Sequence, residues 1–482
     1  MMEAAAKTIF SAGLEAVKPG NLLHHALELQ KCAGEDGETV LDLVTAVPSI
    51  DGAPAHLRIN PRRTLWLLGF GKAVLPMATH LHALLCTEIP NIKGHLNVPA
   101  GTAIPADMDN VQIVACGANN LPDDGSVAAT DQLLQTMHAI HPEDAVVLLI
   151  SGGGSALLVR PSTGITLPDY AATVKALANN GADIHELNCV RKHMSDVKGG
   201  RLARALPTGS RVLALVVSDV VGDDLSTIAC GPTVPDDTTF ADAWAVIERF
   251  QLQELLPVSV VAHMRKGLCG EEPDSPGSDD ACFRSRCIAH VLIGTNATAL
   301  DACQHTAEKF EQYAVIRLPA PITGFVSDVA QHLVSQIPSW TQRTKYACVL
   351  AGGETVVKVN GAGRGGRNQE LAMHVARHLH LQNTSSPSSS SSSSPRVVFL
   401  SGGTDGQDGP TPAAGAVADT HSWEGGQAQG LEPDKLLQNN DSHAFWSQLD
   451  QGQHLLTPGL TGTNVMDIIV LIVAPQECTR DT

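Results

Sequence analysis

The chain has 482 residues, of which 43% are hydrophobic and only 17% charged, and this composition excludes a largely disordered protein. Its 32 Lys and Arg residues face 50 Asp and Glu residues, and the net charge of -18 argues against a surface for nucleic acid or an anionic membrane. The longest apolar runs are short pieces such as IIVLIVA, far below the ~18 residues that a membrane-spanning helix needs. The length predicts two domains, and we expect a soluble protein with neither a membrane nor a nucleic-acid partner.

The N-terminal segment and the cysteines bear on the compartment. Residues 1–17 carry Glu3 and Glu15 and are typical of an amphipathic helix, not of a signal or transit peptide. The 11 cysteines are scattered without a CxxC pair, which favours reduced thiols in an intracellular protein. We expect a cytoplasmic location, with mitochondrial import as the alternative. The sequence leaves open whether the chain is a monomer or a homo-oligomer.

Continuous apolar runs separated by helical stretches recur along the chain, as is typical of parallel strands buried on both faces. The fold class is therefore α/β, with a mainly parallel sheet in the first domain. The runs lie at 64–68, 111–118, 145–150, 212–217, 288–293, 346–350 and 396–400.

Two stretches look like connections between ordered parts. Residues 257–284 turn acidic and rich in Pro and Gly, so we expect an exposed linker between a Rossmann-like N-terminal domain at 1–250 and a C-terminal α/β domain at 285–482. A polyserine tract at 384–395 cannot bury enough apolar area to offset the entropy of ordering, and we expect a disordered loop.

Six of the strand ends are followed by turns rich in Gly, Ser, Thr and Asp. Such turns are ordinary in any single strand-to-helix connection, but six together favour a phosphate-rich ligand at the carboxyl ends of the strands. The turns are GFGK, SGGGS, SDVVGDD, GTN, AGGE and SGGTDGQDG.

Lys72 closes the first of these turns and begins a helix. GFGK lacks the remainder of a P-loop, and no GxGxxG occurs there. A lysine at this place can reach a phosphate as a point charge, or it can simply extend from the helix start into solvent.

The SGGGS turn at 151–155 follows a buried strand. The amides of Gly152, Gly153, Gly154 and Ser155 are candidates for an anion-binding nest. A hydrolase with Ser155 as nucleophile is disfavoured, because the turn is not GxSxG and no His and Asp follow in a recognisable order.

Residues 188–206 form a basic segment in an otherwise acidic chain. Arg191 and Lys198 are candidates for binding an anionic ligand, although a solvated helix face with ion pairs is the usual explanation of such a cluster. Lys198 precedes two glycines, which cost helix stability unless the backbone must approach something closely.

Aspartates follow two strands at SDVVGDD and SGGTDGQDG. Asp219, Asp223, Asp224, Asp405 and Asp408 are candidates for Mg²⁺, which takes one or two carboxylates together with water and phosphate. A carboxylate at one of these strand ends is also a candidate for accepting the proton of a hydroxyl that attacks a phosphoryl group. Local Asx turns would explain each aspartate separately.

The stretch 349–379 combines Glu354, a glycine-rich loop with Arg364 and Arg367, and a helix whose first turn contains Asn368. Apolar residues recur every fourth position after Asn368, so one face of this helix is predicted to be buried. Free amides, the helix dipole and two guanidiniums favour an anion at the helix N-terminus. The alternative is a glycine-rich hairpin with solvated arginines.

Taken together, seven segments resemble the class II glycerate kinases, which consist of a Rossmann-like N-terminal domain and a C-terminal MOFRL domain. The resemblance implies phosphorylation of D-glycerate by ATP with Mg²⁺, usually to 2-phosphoglycerate, in a cleft between the domains. The segments are LLGFGKAVLPMA, SGGGSALLVRP, NCVRKHMSDVKGGRLARA, SDVVGDDLSTIACGPT, LAGGETVVKVNGAGRGGRNQELA, SGGTDGQDGPTPAAGA and LTPGLTGTNVMDI.

The resemblance also implies roles for single residues. Lys72 and Arg367 match the two basic catalytic residues of the family, while Asp219, Asp405 and Asn464 match polar residues of its cleft. We expect Lys72, Arg367 and Asp405 to be catalytic and Asp219 and Asp408 to hold the metal. Glycerate and the phosphates are then left to the remaining candidates, without a division between the two ligands: Gly152, Gly153, Gly154, Ser155, Arg191, Lys198, Glu354, Arg364, Asn368 and Asn464.

Two other functions stay open from the sequence. A hydroxypyruvate reductase would need a dinucleotide fingerprint, which is not evident. A non-catalytic protein that binds a nucleotide or a sugar acid would use the same loops without phosphoryl transfer.

Overall fold

The computed structural model describes residues 1–33, 39–106, 108–117, 121–341, 345–385 and 395–475. The chain forms two compact units, one of Leu22–Ile293 and the other of Met1–Asn21 together with Gly294–Thr482. Both contain helices and a large sheet, so the predicted two-domain α/β fold is confirmed.

The helices, in chain order, are α1 (Met2–Ala16), α2 (Pro19–Ala26), α3 (Val74–Leu85), α4 (Asp124–His138), α5 (Gly154–Leu157), α6 (Leu167–Asn179), α7 (Ile184–His193), α8 (Phe240–Arg249), α9 (Val258–Leu268), α10 (Ala281–Arg284), α11 (Asn296–Glu308), α12 (Val326–Trp340), α13 (Arg367–Ser385), α14 (Ser422–Ala428), α15 (Pro433–Gln438) and α16 (Ser442–Gln448). None of those within the described ranges is both long and apolar enough to cross a bilayer.

The strands are β1 (Leu27–Ala33), β2 (Thr39–Thr45), β3 (His56–Ile59), β4 (Leu65–Phe70), β5 (Ile92–Pro99), β6 (Val111–Cys116), β7 (Ala145–Ile150), β8 (Arg211–Val217), β9 (Cys287–Gly294), β10 (Tyr313–Arg317), β11 (Ile322–Phe325), β12 (Tyr346–Val356), β13 (Val397–Gly403), β14 (Gly415–Asp419), β15 (Leu455–Leu456) and β16 (Asp467–Val473). All seven predicted apolar runs coincide with strands, although residue 118 of the second run lies outside the described residues.

The larger sheet of the first unit has the order β6-β5-β4-β7-β8-β9, and the neighbours from β6 to β8 are parallel. Strands β4, β7 and β8 therefore lie side by side and end at the same edge. The loops that follow β4, β7 and β8 contain Lys72, the SGGGS turn and Asp219, respectively. The topology therefore brings three predicted site segments to one edge of the sheet.

The sheet of the second unit is mixed, which corrects the expectation of parallel strands there. Its order is β10-β12-β16-β13-β14-β15, with β11 also beside β12, and β16 runs antiparallel to both β12 and β13. Residues Ile469 and Leu471 of β16 face the core under α12 and α13, while Ile468 approaches Gly13 of α1 on the other face. Burial on both faces produces continuous apolar runs in either strand direction, so the pattern did not reveal the direction.

The predicted domain boundaries differ from the observed ones at both ends. The first 21 residues belong to the second unit, because α1 buries Ile9, Phe10 and Leu14 against α11 and that unit's sheet. Strand β9, expected to open the C-terminal domain, belongs to the first sheet.

The expected exposed linker at 257–284 is wrong. It contains α9, whose Val260 and Met264 are fully buried in a helical core with α6, α7 and α8. Of the polyserine tract, residues 384 and 385 end α13 and Pro395 is described, while the expectation of disorder at 386–394 lies outside the described residues.

Candidate active site

Lys72 lies beside the SGGGS turn. Its backbone N–H donates to the Gly152 carbonyl at 2.9 Å, and the next N–H, of Ala73, donates to Ser151 Oγ at 2.9 Å. A Cβ added at Gly153 would lie 3.0 Å from Lys72 Cγ, so the lysine side chain runs along the glycines. Gly153 has a φ of 81°, a conformation that favours glycine.

Asp219 approaches the same turn from the end of β8. A Cβ added at Gly152 would lie 2.1 Å from Asp219 Oδ2, which places the carboxylate directly against the turn's backbone. One ammonium, one carboxylate and three glycines therefore share the edge of strands β4, β7 and β8, as the sequence predicted.

Arg191 and Lys198 lie behind this turn, in the interior of the unit. Lys198 is fully buried, and its Nζ donates to the carbonyls of Ser155 at 3.0 Å and Leu158 at 2.9 Å. Burial lowers the pKa of Lys198 to about 8. Arg191 is half-buried and donates from Nη1 to Asn188 Oδ1 at 3.4 Å. Lys198 and Arg191 thus lie next to SGGGS and not on a solvated helix face, whereas Arg204 of the same segment is exposed and pairs with Asp280 at 3.1 Å.

Arg367, in the second unit, is the first residue of α13 and is held by two carboxylates. Its Nε and Nη2 donate to the two oxygens of Asp467 at 2.6 and 2.9 Å, and its Nη1 lies 2.7 Å from Glu354 Oε1. Burial alone would lower the pKa of Arg367, but Asp467 and Glu354 raise it above its usual value. The Arg367 side chain is 32% exposed, so part of the guanidinium is accessible to a ligand.

Asp467 is the site residue that the sequence reasoning missed. It begins β16 and pairs in register with Gly353 of β12 and Gly403 of β13, so it sits in the middle of the sheet edge. Its side chain is only 4% exposed. The sequence NVMDI at 464–468 contained a signal for Asp467, because an aspartate that directly precedes an apolar strand lies at the end of that strand.

Glu354, Asp405 and Asn464 surround this edge. Glu354 follows Gly352 and Gly353 within the continuous strand β12, where the sequence predicted a turn, and pairs with Arg367. Asp405 Oδ1 and Asp467 Oδ1 both flank Gly403, at 3.2 and 3.5 Å from the position of a Cβ there. Asn464 Oδ1 accepts the N–H of Met466 at 3.1 Å in the turn before β16. The structure therefore places Glu354 against Arg367 and Asp405 near Asp467, whereas Asn464 belongs to the turn before β16.

The N-terminus of α13 does bind an anion, but the anion is Asp408. Its oxygens accept the backbone N–H of Asn368 at 3.0 Å and of Gln369 at 2.9 Å, together with the side-chain amide of Gln369 at 3.0 Å. Asp408 is 2% exposed. The expectation of a ligand at these amides is wrong, and so is the assignment of Asp408 to a metal, because its oxygens already serve the helix.

Asn368 is likewise part of this internal network. Its Nδ2 donates to Asp467 Oδ1 at 3.0 Å, and its Oδ1 accepts from Ser401 Oγ at 2.6 Å. The side chain is 1% exposed, so it orients Asp467 and does not reach a ligand. Its expected role in binding phosphate is corrected to one of support.

Arg364 is held by contacts with the neighbouring loops. Its Nε and Nη2 donate to the Pro410 carbonyl at 3.1 and 2.8 Å, and its backbone N–H donates to Asp441 Oδ1 at 3.0 Å. The glycines of its loop have a packing reason, since a Cβ at Gly366 would lie 2.3 Å from Asp408 Cγ. Arg364 thus fastens the loop, and the expected phosphate contact is not supported.

The buried Asp408 predicts a pH dependence of stability. Burial raises the pKa of Asp408 to about 6. The hydrogen bonds from Asn368 and Gln369 of α13 act in the opposite direction and lower it, but burial is the larger effect. The unfolded chain ionises this group near its ordinary value of about 3.9. Because the folded pKa is the higher one, the stabilisation is fully present below about pH 4 and is lost as the pH rises through about 6.

We therefore expect Asp408→Asn to remove this part of the decline in unfolding free energy between about pH 4 and 7. Urea unfolding at a series of pH values, followed by the fluorescence of the buried Trp423 and Trp446, measures it. Parallel pH profiles for the variant and the unchanged protein would contradict the assignment.

A metal cage built only from protein ligands is absent among the described residues: no three His, Cys, Asp or Glu are grouped to hold an ion. Mg²⁺ does not need one, since it is usually held by one or two carboxylates and by phosphate and water. Asp219 fits that chemistry, because it offers carboxylate oxygens beside the turn proposed for phosphate.

Two family models match this chain. One is described as a domain of unknown function (DUF4147) and matches residues 5–265, and the other, the MOFRL family, matches residues 347–467. A glycerate kinase of Danio rerio is 34% identical over 98% of this chain and 97% of its own length. The chain belongs to the MOFRL-containing glycerate kinase family. The resemblance found in the sequence is thereby confirmed.

Other members of the family come from distant organisms. A D-glycerate 2-kinase of Thermotoga maritima is 34% identical over 86% of this chain and 92% of its own length. The crystal structure of a glycerate kinase from Thermotoga maritima superposes with a TM-score of 0.75 at 30% identity, covering 98% of this chain and 99% of that one. Family and fold thus extend over nearly all of this chain.

Proposed function

We propose that this protein transfers the terminal phosphoryl group of ATP to D-glycerate, giving 2-phosphoglycerate. The observation that carries the proposal is the meeting of Lys72, the SGGGS turn and Asp219 at one sheet edge, in a chain similar over its length to glycerate kinases. Phosphoryl transfer demands little covalent chemistry of the protein, so positioned charges of this kind suffice.

Lys72 and Asp219 take complementary parts in this proposal. The amides of Gly152, Gly153 and Gly154 hold phosphate oxygens, and the Lys72 ammonium reaches the transferred group along them. Asp219 holds Mg²⁺, which when bound neutralises charge on the phosphates. The phosphoryl acceptor, D-glycerate, is bound at the inner end of the turn by Ser155, Arg191 and Lys198.

Arg367 is the second residue that we propose to be catalytic, through its positive charge. Asp467 and Glu354 fix the guanidinium, so it needs no reorganisation when charge develops. Asp405 takes the proton of the attacking hydroxyl, and Asn464 binds substrate beside it. Because carboxylates outnumber cations around Arg367, phosphate binding here depends on a divalent cation, which supports a requirement for Mg²⁺.

The setting of this reaction is also part of the proposal. The partners are small molecules, ATP and D-glycerate, with no nucleic acid. We place the protein in the cytoplasm, with mitochondria as the alternative, and both a monomer and a homo-oligomer are compatible with it.

A coupled assay tests this function. Purified protein with ATP, Mg²⁺ and D-glycerate is expected to form ADP well above a control without glycerate, and analysis of the product identifies the phosphorylated oxygen. ADP formation no faster than in the control contradicts the kinase. NADH oxidation with hydroxypyruvate in place of glycerate would instead indicate a reductase.

A further inference from the structure

A group of buried polar side chains surrounds Cys230. This residue is fully buried, and its thiol donates to Asn188 Oδ1 at 3.1 Å. The sulfur also lies 3.4 Å from the Oγ of Ser155, the last residue of the SGGGS turn. The group therefore begins where the turn proposed for phosphate ends.

The charged side chains of this group, Arg191 and Lys198, are both positive. Within the described part of the chain, the charged or titratable groups that act on the Lys198 ammonium are Cys230 and Arg191. By contrast, the neighbouring Lys192 is paired with Asp236 at 3.1 Å. Burial alone would raise the pKa of the Cys230 thiol, but Lys198 and Arg191 hold it below its usual value. This part of the interior therefore favours a negatively charged group.

Three donors in this group have no acceptor among the described residues: Asn188 Nδ2, Arg191 Nε and the Tyr170 hydroxyl. Asn188 and Tyr170 are each only 3% exposed. Tyr170 packs in the same buried cluster as Cys189 and Val190, which lie between Asn188 and Arg191 in α7. In agreement with this position, the pKa of the phenol is raised most by burial, raised further by Cys230 and lowered by Arg191. Buried donors are almost always paired in folded proteins, and three unpaired ones in one place indicate an absent acceptor.

We propose that Tyr170, Asn188, Arg191, Lys198 and Cys230 form the recess that binds the carboxylate of the phosphoryl acceptor. The inference rests on the proposed function and decides which of its two anionic ligands these residues hold. A carboxylate offers two oxygens with about four acceptor positions, which suits three unpaired donors beside two cations. In a short hydroxy acid bound here, the hydroxyl lies towards Ser155 and the phosphate turn.

The phosphates of ATP suit this recess less well. They carry several charges and a bound cation with its oxygen ligands, whereas the recess offers mainly N–H and O–H donors deep in the fold. A single charge in a desolvated place is recognised by a guanidinium and neutral donors together. The recess therefore selects for an acid and against a neutral polyol such as glycerol.

Tyr170→Phe is the most discriminating variant, because it removes only a hydroxyl that has no hydrogen-bond partner among the described residues. The fold alone predicts an unchanged or higher melting temperature. Binding of a carboxylate predicts a KM for D-glycerate about tenfold higher, with the KM for ATP unchanged. Calorimetric titration with D-glycerate in the absence of ATP should show the same loss of affinity, and glycerol should not bind to either form.

Arg191→Met provides a second test, with Arg211→Met, an exposed arginine at the start of β8, as its control. The first variant should raise the KM for D-glycerate by at least about tenfold, and the control should leave it unchanged. If both Tyr170→Phe and Arg191→Met raise the KM for ATP instead, the recess holds nucleotide and the inference is wrong, while the kinase stands.

The binding measurement separates this inference from the proposed function. If the unchanged protein binds D-glycerate but transfers no phosphate, the function fails, and the recess is still supported when Tyr170→Phe abolishes that binding. If D-glycerate binds equally well to the unchanged protein and to both variants, the recess is refuted. Absence of any D-glycerate binding by the unchanged protein also refutes it.

Discussion

Replacing Arg367 by alanine is expected to lower kcat by about a hundredfold or more, because a fixed guanidinium beside the transferring group stabilises charge that develops only in the transition state. The change also leaves Asp467, which is nearly buried, without its cation, and so it should reduce stability. Steady-state kinetics with ATP and D-glycerate, together with a melting curve of each variant, separate the two effects.

Arg367→Lys and Arg377→Ala complete this experiment. The lysine keeps one charge but cannot bind both Asp467 oxygens at once, so it should recover stability better than kcat. Arg377 lies on the same helix, is 40% exposed and pairs with Asp434, and its loss should leave kcat unchanged. A folded Arg367→Ala protein with the kcat of the Arg377→Ala control would show that Arg367 is not catalytic.

Lys72→Met is expected to lower kcat by a similar factor, about a hundredfold or more, with little effect on the fold. The methionine keeps an apolar stem along the glycines and removes only the ammonium. The hydrogen bond to Gly152 is made by the backbone N–H of residue 72 and survives the change. Melting temperature and kcat should therefore respond very differently in this variant.

Lys93→Met, on an exposed position of β5, is the matched control and should retain full kcat. Added salt should weaken ATP binding in both the control and the unchanged protein, since exposed charges are screened. If Lys72→Met turns over as fast as Lys93→Met, the ammonium takes no part in transfer and the turn binds phosphate through its amides alone.

The strands could be predicted where the side chains themselves are apolar. The runs at 145–150 and 212–217 agree with β7 and β8 almost residue for residue. Strand β5 was missed because Gly94, His95 and Asn97 interrupt it, although all three are buried. Asn97 Nδ2 donates to the Leu157 carbonyl at 2.9 Å, and His95 Nε2 lies 2.9 Å from Asn97 Oδ1. No local sequence pattern predicts these contacts.

The site in the first unit could be predicted because it consists of strand ends, which a parallel sheet places at one edge. The site in the second unit could be predicted only in part. Sequence rules assigned the N-terminus of α13 to an external anion, whereas Asp408, about forty residues later in the chain, supplies it. A capping residue that is distant in sequence leaves no signal in the sequence around the helix that it caps. Asp467, which pairs with Arg367, is likewise distant in sequence and leaves no signal around Arg367.

Helix α1 precedes almost the whole first unit in the chain but packs on α11, β13 and β16 of the second. During synthesis its apolar side, with Ile9, Phe10 and Leu14, emerges long before the strands that cover it. At about 5–20 residues per second, that interval lasts tens of seconds. The second unit therefore completes its fold only after β16 has been synthesised, and until then the strands that cover the apolar side of α1 are missing.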